Sequence, residues 1–407
     1  MNPTLKVAEP LTLPGGAVIK NRFFKSAMSE AMADRSNSPN HLHIELYRKW
    51  AEGGTGIVVT GNVMVDRGAL GEPGNVAIED RRDMEQLKQW AQAGTQYGAH
   101  LWVQINHPGK QSPRTMSKQP VAPSAIAMGG SYGRAFKTPR ELTNTEVKGI
   151  VKRFVTTAQI AAEAGFTGVQ IHGAHGYLIN QFLSPADNRR NDEYGGSLEN
   201  RMRFLIEIYD GMRSVLGAGF PIGIKLNSAD FKEGGFTEKD SEKVVKTMAE
   251  RGIDLIEISG GSYENPKMAS DDDSEVFFLK YAERIKSLVD VPIVVTGGFR
   301  SQVGMEEALA AGKTSMIGIA RPLALVPDIP NRIMQGRYET VTAQRLTTGF
   351  SALDQKFGAL IGLSYYEQQM ERIARGKPAK LHRNAWNPLL HTLRRQGMAV
   401  LSPRRSN

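Results

Sequence analysis

The sequence of 407 residues contains no cysteine. Disulfide bonds, iron–sulfur clusters, thiolate zinc sites and cysteine nucleophiles are therefore excluded. The chain also lacks the apolar run of about 18 residues that a membrane-spanning helix needs. Its first residues lack the charged start and apolar middle of a secretory signal. These absences predict a cytoplasmic protein that does not enter a membrane.

Negative charge is missing from the end of the chain. The formal net charge is +9, from 51 lysines and arginines against 42 aspartates and glutamates. From Arg372 onward the chain has basic residues and no acidic one, and this tail holds the whole positive excess. Such a tail is typical of a solvated or subunit-docking segment. Nucleic acid is therefore not expected as a partner.

Short apolar runs rich in valine and isoleucine alternate with longer amphipathic stretches. The longer stretches have apolar residues at i, i+3 and i+4, and several end at glycine, which is typical of α-helices. Eight strand–helix units whose strands are apolar on both faces predict an α/β fold with a closed parallel barrel, the (β/α)8 TIM barrel. The runs are residues 23–29, 56–65, 100–107, 168–175, 221–228, 254–261, 292–299 and 315–322.

An open Rossmann-type sheet is the alternative for this alternation. That fold requires a glycine-rich fingerprint after its first strand, and the KSAMSEAMAD segment found there is not one. Residues 11–21 predict a small hairpin that covers the bottom of the barrel. We expect the barrel in residues 1–335, and a helical extension with the basic tail in residues 336–407. The long loop of residues 108–143 is expected to lie over the active-site end.

Polar side chains end several of the predicted strands, where a packed core would favour apolar ones. Gln104 stands near the end of the third strand, His172 and His175 at the end of the fourth, and Lys225 near the end of the fifth. Active sites of such barrels lie at the C-terminal ends of the strands. We therefore expect these side chains to surround one site.

The last two strands end in a pattern that is typical of phosphate binding. Gly297 and Gly298 follow the seventh strand, and Ala320 and Arg321 follow the eighth. Loops at these places are the usual phosphate site of the fold, because amides at helix N-termini attract anions. A nearby lysine and glutamine favour flavin mononucleotide, FMN. A glutamine can pair with the amide-like edge of its ring, and a cation stabilises the charge of its reduced form.

The block HGAHGYLINQFLSPADNRRNDEYGGSLENRMRF, which begins at His172, resembles the most distinctive part of the old yellow enzyme family of FMN-dependent ene-reductases. Further similar segments are IKNRFFKSAMS at the first strand, VQINHPGKQ at the third, and VVTGGF and GIARPL at the last two. The resemblance covers about residues 10–330. It implies bound FMN, NADPH or NADH as reductant, and a small α,β-unsaturated carbonyl or nitroalkene as substrate.

The resemblance also implies a role for each matching residue. His172 and His175 would bind the activating oxygen of the substrate. Tyr177 would protonate Cα after hydride transfer from flavin N5 to Cβ. The residues expected to contact FMN are Ala27, Met28, Ser29, Gly61, Gln104, Lys225, Gly297, Gly298, Ala320 and Arg321. No metal is expected.

Four positions depart from the family pattern. Ala27 stands where a proline is usual, and Ala320 replaces a glycine. Lys225 replaces an arginine, so a point charge substitutes for a planar fork and the flavin potential is expected to differ. Ala31 lies near the place where some relatives have a tyrosine that caps the substrate, which predicts a pocket that is wider or is capped from elsewhere.

The same residues allow other interpretations. The histidine pair could bind zinc, but no carboxylate or third histidine occupies a matching position at the rim. Synthesis of tRNA dihydrouridine uses an FMN barrel but depends on a cysteine acid, which this chain lacks. Two alternatives remain open: an oxidative flavin dehydrogenase or demethylase on the same barrel, and a non-catalytic FMN-binding protein, which would need neither the histidine pair nor Tyr177.

The C-terminal part has helical patterning and several aromatic residues. These features predict docking on a second subunit, in a homodimer or larger homo-oligomer. Tyr365, Tyr366 or Arg372 would then be the residues placed to reach a neighbouring pocket.

Overall fold

The computed structural model describes residues 5–129, 133, 135–262, 275–341, 346–381 and 384–396. The end of the basic tail, with Arg404 and Arg405, therefore lies outside the described residues. The strands are β1 (Leu11–Thr12), β2 (Val18–Ile19), β3 (Phe23–Lys25), β4 (Ile57–Met64), β5 (Val76–Ala77), β6 (His100–Asn106), β7 (Val121–Ala122), β8 (Arg140–Glu141), β9 (Gly168–Gly173), β10 (Ile222–Asn227), β11 (Leu255–Ser259), β12 (Ile293–Thr296) and β13 (Met316–Ile319).

The α-helices lie mainly between the strands of the barrel. They are α1 (His41–Glu52), α2 (Met84–Gly94), α3 (Asn144–Glu163), α4 (Leu178–Leu183), α5 (Leu198–Leu216), α6 (Glu238–Glu250), α7 (Glu275–Lys286), α8 (Gln302–Ala310), α9 (Ile329–Met334), α10 (Ser351–Ala374) and α11 (Trp386–Gln396). Within the described ranges, none of them combines the length and the apolar character that crossing a membrane would take.

Eight parallel strands close into a barrel, as the sequence predicts. Their order is β3, β4, β6, β9, β10, β11, β12 and β13, and β13 pairs with β3 to complete the ring. Every residue of β9, β10 and β11 is buried. Strands covered on both faces have continuous apolar runs rather than alternating ones, which is why the runs were visible in the sequence. The TIM barrel is confirmed.

The hairpin predicted before the first barrel strand is present. β1 and β2 pair antiparallel, with Leu11 opposite Ile19. Leu13 and Ile19 are buried in one apolar cluster with Phe24 and Trp102 of the barrel strands. The hairpin therefore seals the bottom of the barrel and leaves the opposite end for a site.

Helix ends in the barrel follow local capping chemistry. The side chain of Thr143 accepts from the backbone N–H of Glu146, and the Glu146 carboxylate accepts from the Thr143 N–H, which forms a capping box at the start of α3. α5 begins after Ser197, whose hydroxyl accepts from the Asn200 N–H, and is followed by Gly217 with φ of 78°. Glycine adopts a positive φ without the steric cost that a side chain brings. These signals let the sequence show where the helices lie.

The extension packs on the barrel of its own chain. α10 lies against α1, and Tyr365, Tyr366 and Met370 belong to the same apolar core as the barrel helices. The two tyrosines are 1% and 7% exposed, and the Arg372 guanidinium donates to the carbonyl of Pro378. The suggestion that the two tyrosines reach a neighbouring subunit was therefore wrong, because their own barrel covers the aromatic face of α10. For Arg372 it stays a prediction.

Candidate functional site

Three aromatic rings meet where β9 ends. His172 is the second last residue of β9, His175 follows the strand, and Tyr177 precedes α4. The centroid of the His172 ring lies 5.0 Å from that of His175 and 4.8 Å from that of Tyr177. The structure therefore brings the three predicted catalytic residues together at the C-terminal end of the barrel.

The backbone of His175 adopts a left-handed conformation, with φ of 61°. Such a conformation is uncommon for residues other than glycine and persists where the surroundings enforce it. The His175 N–H donates to Oδ1 of Asn227 at 3.2 Å, and its carbonyl accepts from Nε2 of Gln111 at 3.0 Å. Its ring Nε2 lies 2.7 Å from Oγ of Ser259. Gln111 belongs to the long loop, which confirms that this loop reaches the site.

Both histidines of the site are neutral at pH 7. Burial lowers the pKa of His172 and of His175 well below the usual value, and the positive charge of Lys225 lowers each pKa further. Nδ1 of His172 accepts from the backbone N–H of Ala174 at 3.3 Å, so the ring proton lies on Nε2. His172 is thus oriented as a neutral donor of one hydrogen bond.

Tyr177 is held by an asparagine that sequence reasoning missed. Nδ2 of Asn62, in β4, donates to the phenolic oxygen of Tyr177 at 3.3 Å, and its Oδ1 accepts from Nδ2 of Asn106, in β6, at 3.4 Å. Because the phenol accepts this hydrogen bond, its own hydrogen is donated in another direction.

The barrel interior below the rings contains a buried ion pair. Nζ of Lys225, in β10, lies 3.1 Å from Oε1 of Glu257, in β11. Glu257 also accepts from Oγ1 of Thr296 at 2.6 Å and from Nε2 of Gln170 at 2.8 Å. Oε1 of Gln170 in turn accepts from Nε2 of Gln104 at 2.7 Å. Two predicted flavin ligands, Gln104 and Lys225, are therefore joined through residues that the sequence reasoning did not select.

A sequence signal for Gln170 and Glu257 does exist. Gln170 stands two residues before His172, and side chains two apart in a strand share a face. Glu257 is the only charged residue in the strand LIEIS. A carboxylate in such an apolar strand requires a partner, and Lys225 on the neighbouring strand, paired with Glu257 in register, is that partner.

Gly61 packs closely against the loop of Ala27, Met28 and Ser29. A Cβ atom at Gly61 would lie 2.6 Å from the carbonyl oxygen of Met28, so a larger residue would push β4 and the loop apart. The Gly61 N–H is shared by Oε1 of Glu30 at 3.2 Å and the phenolic oxygen of Tyr47 at 3.0 Å.

Lys25 lies below this loop. Its Nζ donates to the carbonyl of Val59 at 2.9 Å and lies 3.7 Å from Oε1 of Glu30 and 4.1 Å from the centroid of the Trp50 ring. Burial lowers the pKa of Lys25 to about 8, partly offset by the charge of Glu30. These contacts tie the loop start to β4.

Ser29 connects the loop to the extension. Its hydroxyl is in contact with a carboxylate oxygen of Glu72, and it lies 3.0 Å from Oε1 of Glu367, in α10. The sequence predicted that Ser29 lines the flavin, but not that a residue beyond the barrel contacts it.

The predicted phosphate residues occupy neighbouring strand ends. Gly297 and Gly298, with φ of 99° and 83°, follow β12, and Ala320 and Arg321 follow β13, which pairs with β12. A Cβ atom built on Gly297 meets no heavy atom within 4 Å, so space adjoins this backbone. A cation and an amide in the barrel, together with open space beside the backbone after β12, fit the ring and the phosphate of FMN.

Comparison with known proteins agrees with this geometry. The model of the NADH:flavin oxidoreductase / NADH oxidase family matches residues 6–340. The chain is 38% identical over 361 residues to the NADH-dependent flavin oxidoreductase iliE of Hypocrea jecorina, covering 81% of this chain and 89% of the relative. It is 38% identical over 358 residues to the iliE protein of Neonectria sp., covering 80% of this chain but 46% of that protein. The chain thus spans about half of this longer relative.

Solved structures show the same fold. A complex of 2-naphthoyl-CoA reductase with 2-naphthoyl-CoA has a TM-score of 0.77 at 29% identity, over 82% of this chain and 52% of that one. Morphinone reductase in complex with tetrahydroNAD has a TM-score of 0.70 at 26% identity, over 82% and 91%. The chain therefore belongs to the NADH:flavin oxidoreductase / NADH oxidase family, that of the old yellow enzymes, and is an oxidoreductase that uses FMN and a nicotinamide reductant.

Proposed function

We propose that the chain reduces activated C=C bonds of small α,β-unsaturated carbonyl compounds or nitroalkenes, with NADH or NADPH as reductant. The observation that carries this proposal is the contact of one neutral imidazole, that of His172, with both the imidazole of His175 and the phenol of Tyr177 at the barrel mouth. Two structural neighbours are named as reductases, of 2-naphthoyl-CoA and of morphinone, and these names agree with a reductive role.

The residues that would hold FMN lie around the C-terminal end of the barrel. Lys225 and Gln104 would contact the polar edge of the ring, Gly61 would lie beside it, and the loop of Ala27, Met28 and Ser29 would line it. The phosphate would be bound by Gly297, Gly298, Ala320 and Arg321. Bound FMN supplies the hydride chemistry, as acceptor from the nicotinamide and donor to the substrate.

The histidine pair would bind the substrate oxygen. Nε2–H of His172 and a ring N–H of His175 donate hydrogen bonds that strengthen as negative charge develops on that oxygen. Because both rings are neutral, they polarise the substrate as hydrogen-bond donors rather than as cations. The positions of the two rings are held by the strand end and by Ser259, so little reorganisation is needed.

Tyr177 would supply the proton to Cα of the substrate. A phenol stays protonated at neutral pH. Addition of hydride to Cβ forms the new C–H bond and shifts the π electron pair of the C=C bond to Cα, which is then a strong base. The hydrogen bond from Asn62 fixes the phenolic oxygen and directs its hydrogen away from β4. Asn62 thereby positions the proton donor.

An anaerobic stopped-flow experiment tests the proposal. The yellow protein is reduced with NADH or NADPH and then mixed with cyclohexenone or a nitroalkene. In a separate run the oxidised protein is mixed with a saturated amine. Bleaching by a nicotinamide and return of the colour with the enone or the nitroalkene are expected. Reduction of the flavin by the amine would indicate an oxidative dehydrogenase instead, and a flavin that no nicotinamide reduces would indicate a non-catalytic FMN-binding protein.

The organisation of the chain is also part of the proposal. We propose that residues 1–335 form the FMN-binding barrel, that residues 336–407 form an extension to it, and that the protein acts in the cytoplasm as a homodimer or larger homo-oligomer. Exposed apolar side chains on α11, those of Trp386 and Leu390, support self-association. Light scattering after size-exclusion chromatography gives the mass, and a monomer at micromolar concentration would contradict self-association.

A further inference from the structure

We infer that Glu257 is a positioning residue for the flavin. It orients Gln104 through Gln170, and by offsetting the charge of Lys225 it lowers the reduction potential of bound FMN. The inference rests on the proposed contacts of Gln104 and Lys225 with FMN. Glu257 would touch neither cofactor nor substrate in the proposed site. It would act through Gln104 and Lys225, which would contact the cofactor.

Glu257 lies in the barrel interior with 0% of its surface exposed. An ionised carboxylate in such a place needs charged or hydrogen-bonding partners. Oε1 accepts from Nζ of Lys225 and from Oγ1 of Thr296, and Oε2 accepts from Nε2 of Gln170. Ammonium and amide nitrogens can only donate, so both carboxylate oxygens act as acceptors and the ionised form satisfies all three donors.

The acceptor role of Glu257 then sets the orientation of two amides, those of Gln170 and Gln104. Because the NH2 group of Gln170 donates to Glu257, its carbonyl oxygen faces Gln104 and requires a donor. The NH2 group of Gln104 supplies that donor at 2.7 Å. The carbonyl oxygen of Gln104 is therefore turned to the other side as an acceptor, which suits an N–H group on the amide-like edge of the flavin. Without a carboxylate at position 257, the amides of Gln170 and Gln104 could hydrogen-bond to each other in either orientation.

The charge of Lys225 is offset by the same residue. A cation beside the flavin stabilises the negative charge that reduction places near N1. Lys225 and Glu257, 3.1 Å apart and both buried, together carry no net charge. The pair therefore stabilises the reduced form less than a lone lysine would, and the reduced flavin is a stronger hydride donor.

The Glu257→Gln variant tests the charge effect. The potential of bound FMN is measured by anaerobic equilibration with a reference dye, with no substrate present. The ratio of the affinity for reduced FMN to that for oxidised FMN is expected to be about tenfold higher in the variant than in the parent protein. This corresponds to a rise in the reduction potential of about 30 mV for a two-electron couple. An unchanged or lower potential would overturn the inference.

Asp254→Asn is the matched control. Asp254 is also a buried carboxylate in an ion pair, 2.6 Å from Arg213, but it precedes β11 at the bottom of the barrel. Its replacement is expected to lower stability and to leave the potential unchanged. A rise equal to that of Glu257→Gln would show that the change reports loosened packing, and would also count against the inference.

Thr296→Val provides a second variant in case Glu257→Gln does not fold, and its expected effect on the reduction potential has the opposite sign. The change removes one donor to Glu257 and leaves its negative charge less dispersed, so the potential is expected to fall. A rise or no change would contradict the inference.

Lys225→Met separates this inference from the proposed cofactor site. If Lys225 contacts FMN, this variant lowers both the potential and the affinity for FMN. If neither changes, the proposed site is wrong. If both change while Glu257→Gln has no effect on the potential, the site stands and only the role of Glu257 is rejected.

Discussion

The ring of His172 lies 4.8 Å from the ring of Tyr177, with an angle of 71° between their planes. The two residues are separated by a left-handed turn at His175, which carries the chain from the strand end into α4. The proposed hydrogen-bond donor to the substrate oxygen and the proposed proton donor to the substrate carbon thereby lie side by side.

Replacement of Tyr177 by phenylalanine should separate the two half-reactions. The variant is expected to keep the rate of flavin reduction by nicotinamide and to slow reoxidation by cyclohexenone by about a hundredfold or more, because general acid catalysis contributes at least that much. Single-turnover stopped-flow absorbance measures both rates. Equal loss in the two half-reactions would remove Tyr177 from the acid role.

The His172→Leu variant should also affect the oxidative half-reaction selectively. Loss of one donor to a developing oxyanion costs about a hundredfold to a thousandfold. His107→Gln, a change of another buried histidine that follows β6, is the control and should keep the rate with the enone within a few-fold. The same loss in both variants would point to general damage of the barrel mouth.

Gly61→Ala is expected to weaken FMN binding strongly. The new Cβ would lie 2.6 Å from the carbonyl oxygen of Met28, so the loop proposed to line the flavin ring would have to move. Gly362→Ala, in α10 and with no heavy atom within 4 Å of the added Cβ, is the control. It should bind FMN normally and gain about 0.5–1 kcal/mol of stability. Flavin fluorescence titration measures the affinity, and normal binding by Gly61→Ala would contradict the expected close approach.

The extension should contribute to the stability of the barrel. Met370, in α10, is 0% exposed, whereas Met334, at the end of α9, is 37% exposed. Met370→Ala is expected to lower the free energy of unfolding by about 2–5 kcal/mol, and Met334→Ala by less than about 0.5 kcal/mol. Urea denaturation followed by fluorescence compares them. Similar small losses would mean that α10 is dispensable for the fold.

Stability should fall as the pH drops below about 6.5. Burial lowers the pKa of His43 to about 3 and that of His107 to about 4, while the unfolded chain keeps values near 6.5. The unfolded state therefore takes up protons first as the pH falls, and stability that is complete above pH 6.5 is lost toward pH 4. Each such histidine contributes about 1.4 kcal/mol per pH unit in this window.

Urea midpoints at pH 7.5 and pH 5.5 measure this loss. His43→Gln should reduce the pH dependence, because the side chain that titrates differently in the two states is gone. An unchanged slope would contradict the assignment to His43.

The barrel and the three catalytic candidates could be predicted from the sequence because their signals are local. Strands buried on both faces produce continuous apolar runs, and the block from His172 to Tyr177 is contiguous. Glu257 and Asn62 were missed because their partners lie on other strands. Glu257 stands out in its apolar strand, but that segment does not show which residues it contacts. The aromatic face of α10 was assigned to the wrong surface, since an amphipathic helix does not reveal which apolar surface covers it.

The closure of the barrel joins the first and the last of its strands. Phe23 of β3 stands opposite Ile317 of β13, so β3 gains its second neighbour only after almost the whole barrel has left the ribosome. Pairing between such distant segments slows folding, and until it occurs both strands present open edges that other chains can join. We expect newly made chains to depend on chaperones during this interval, and chains cut short before β13 to aggregate.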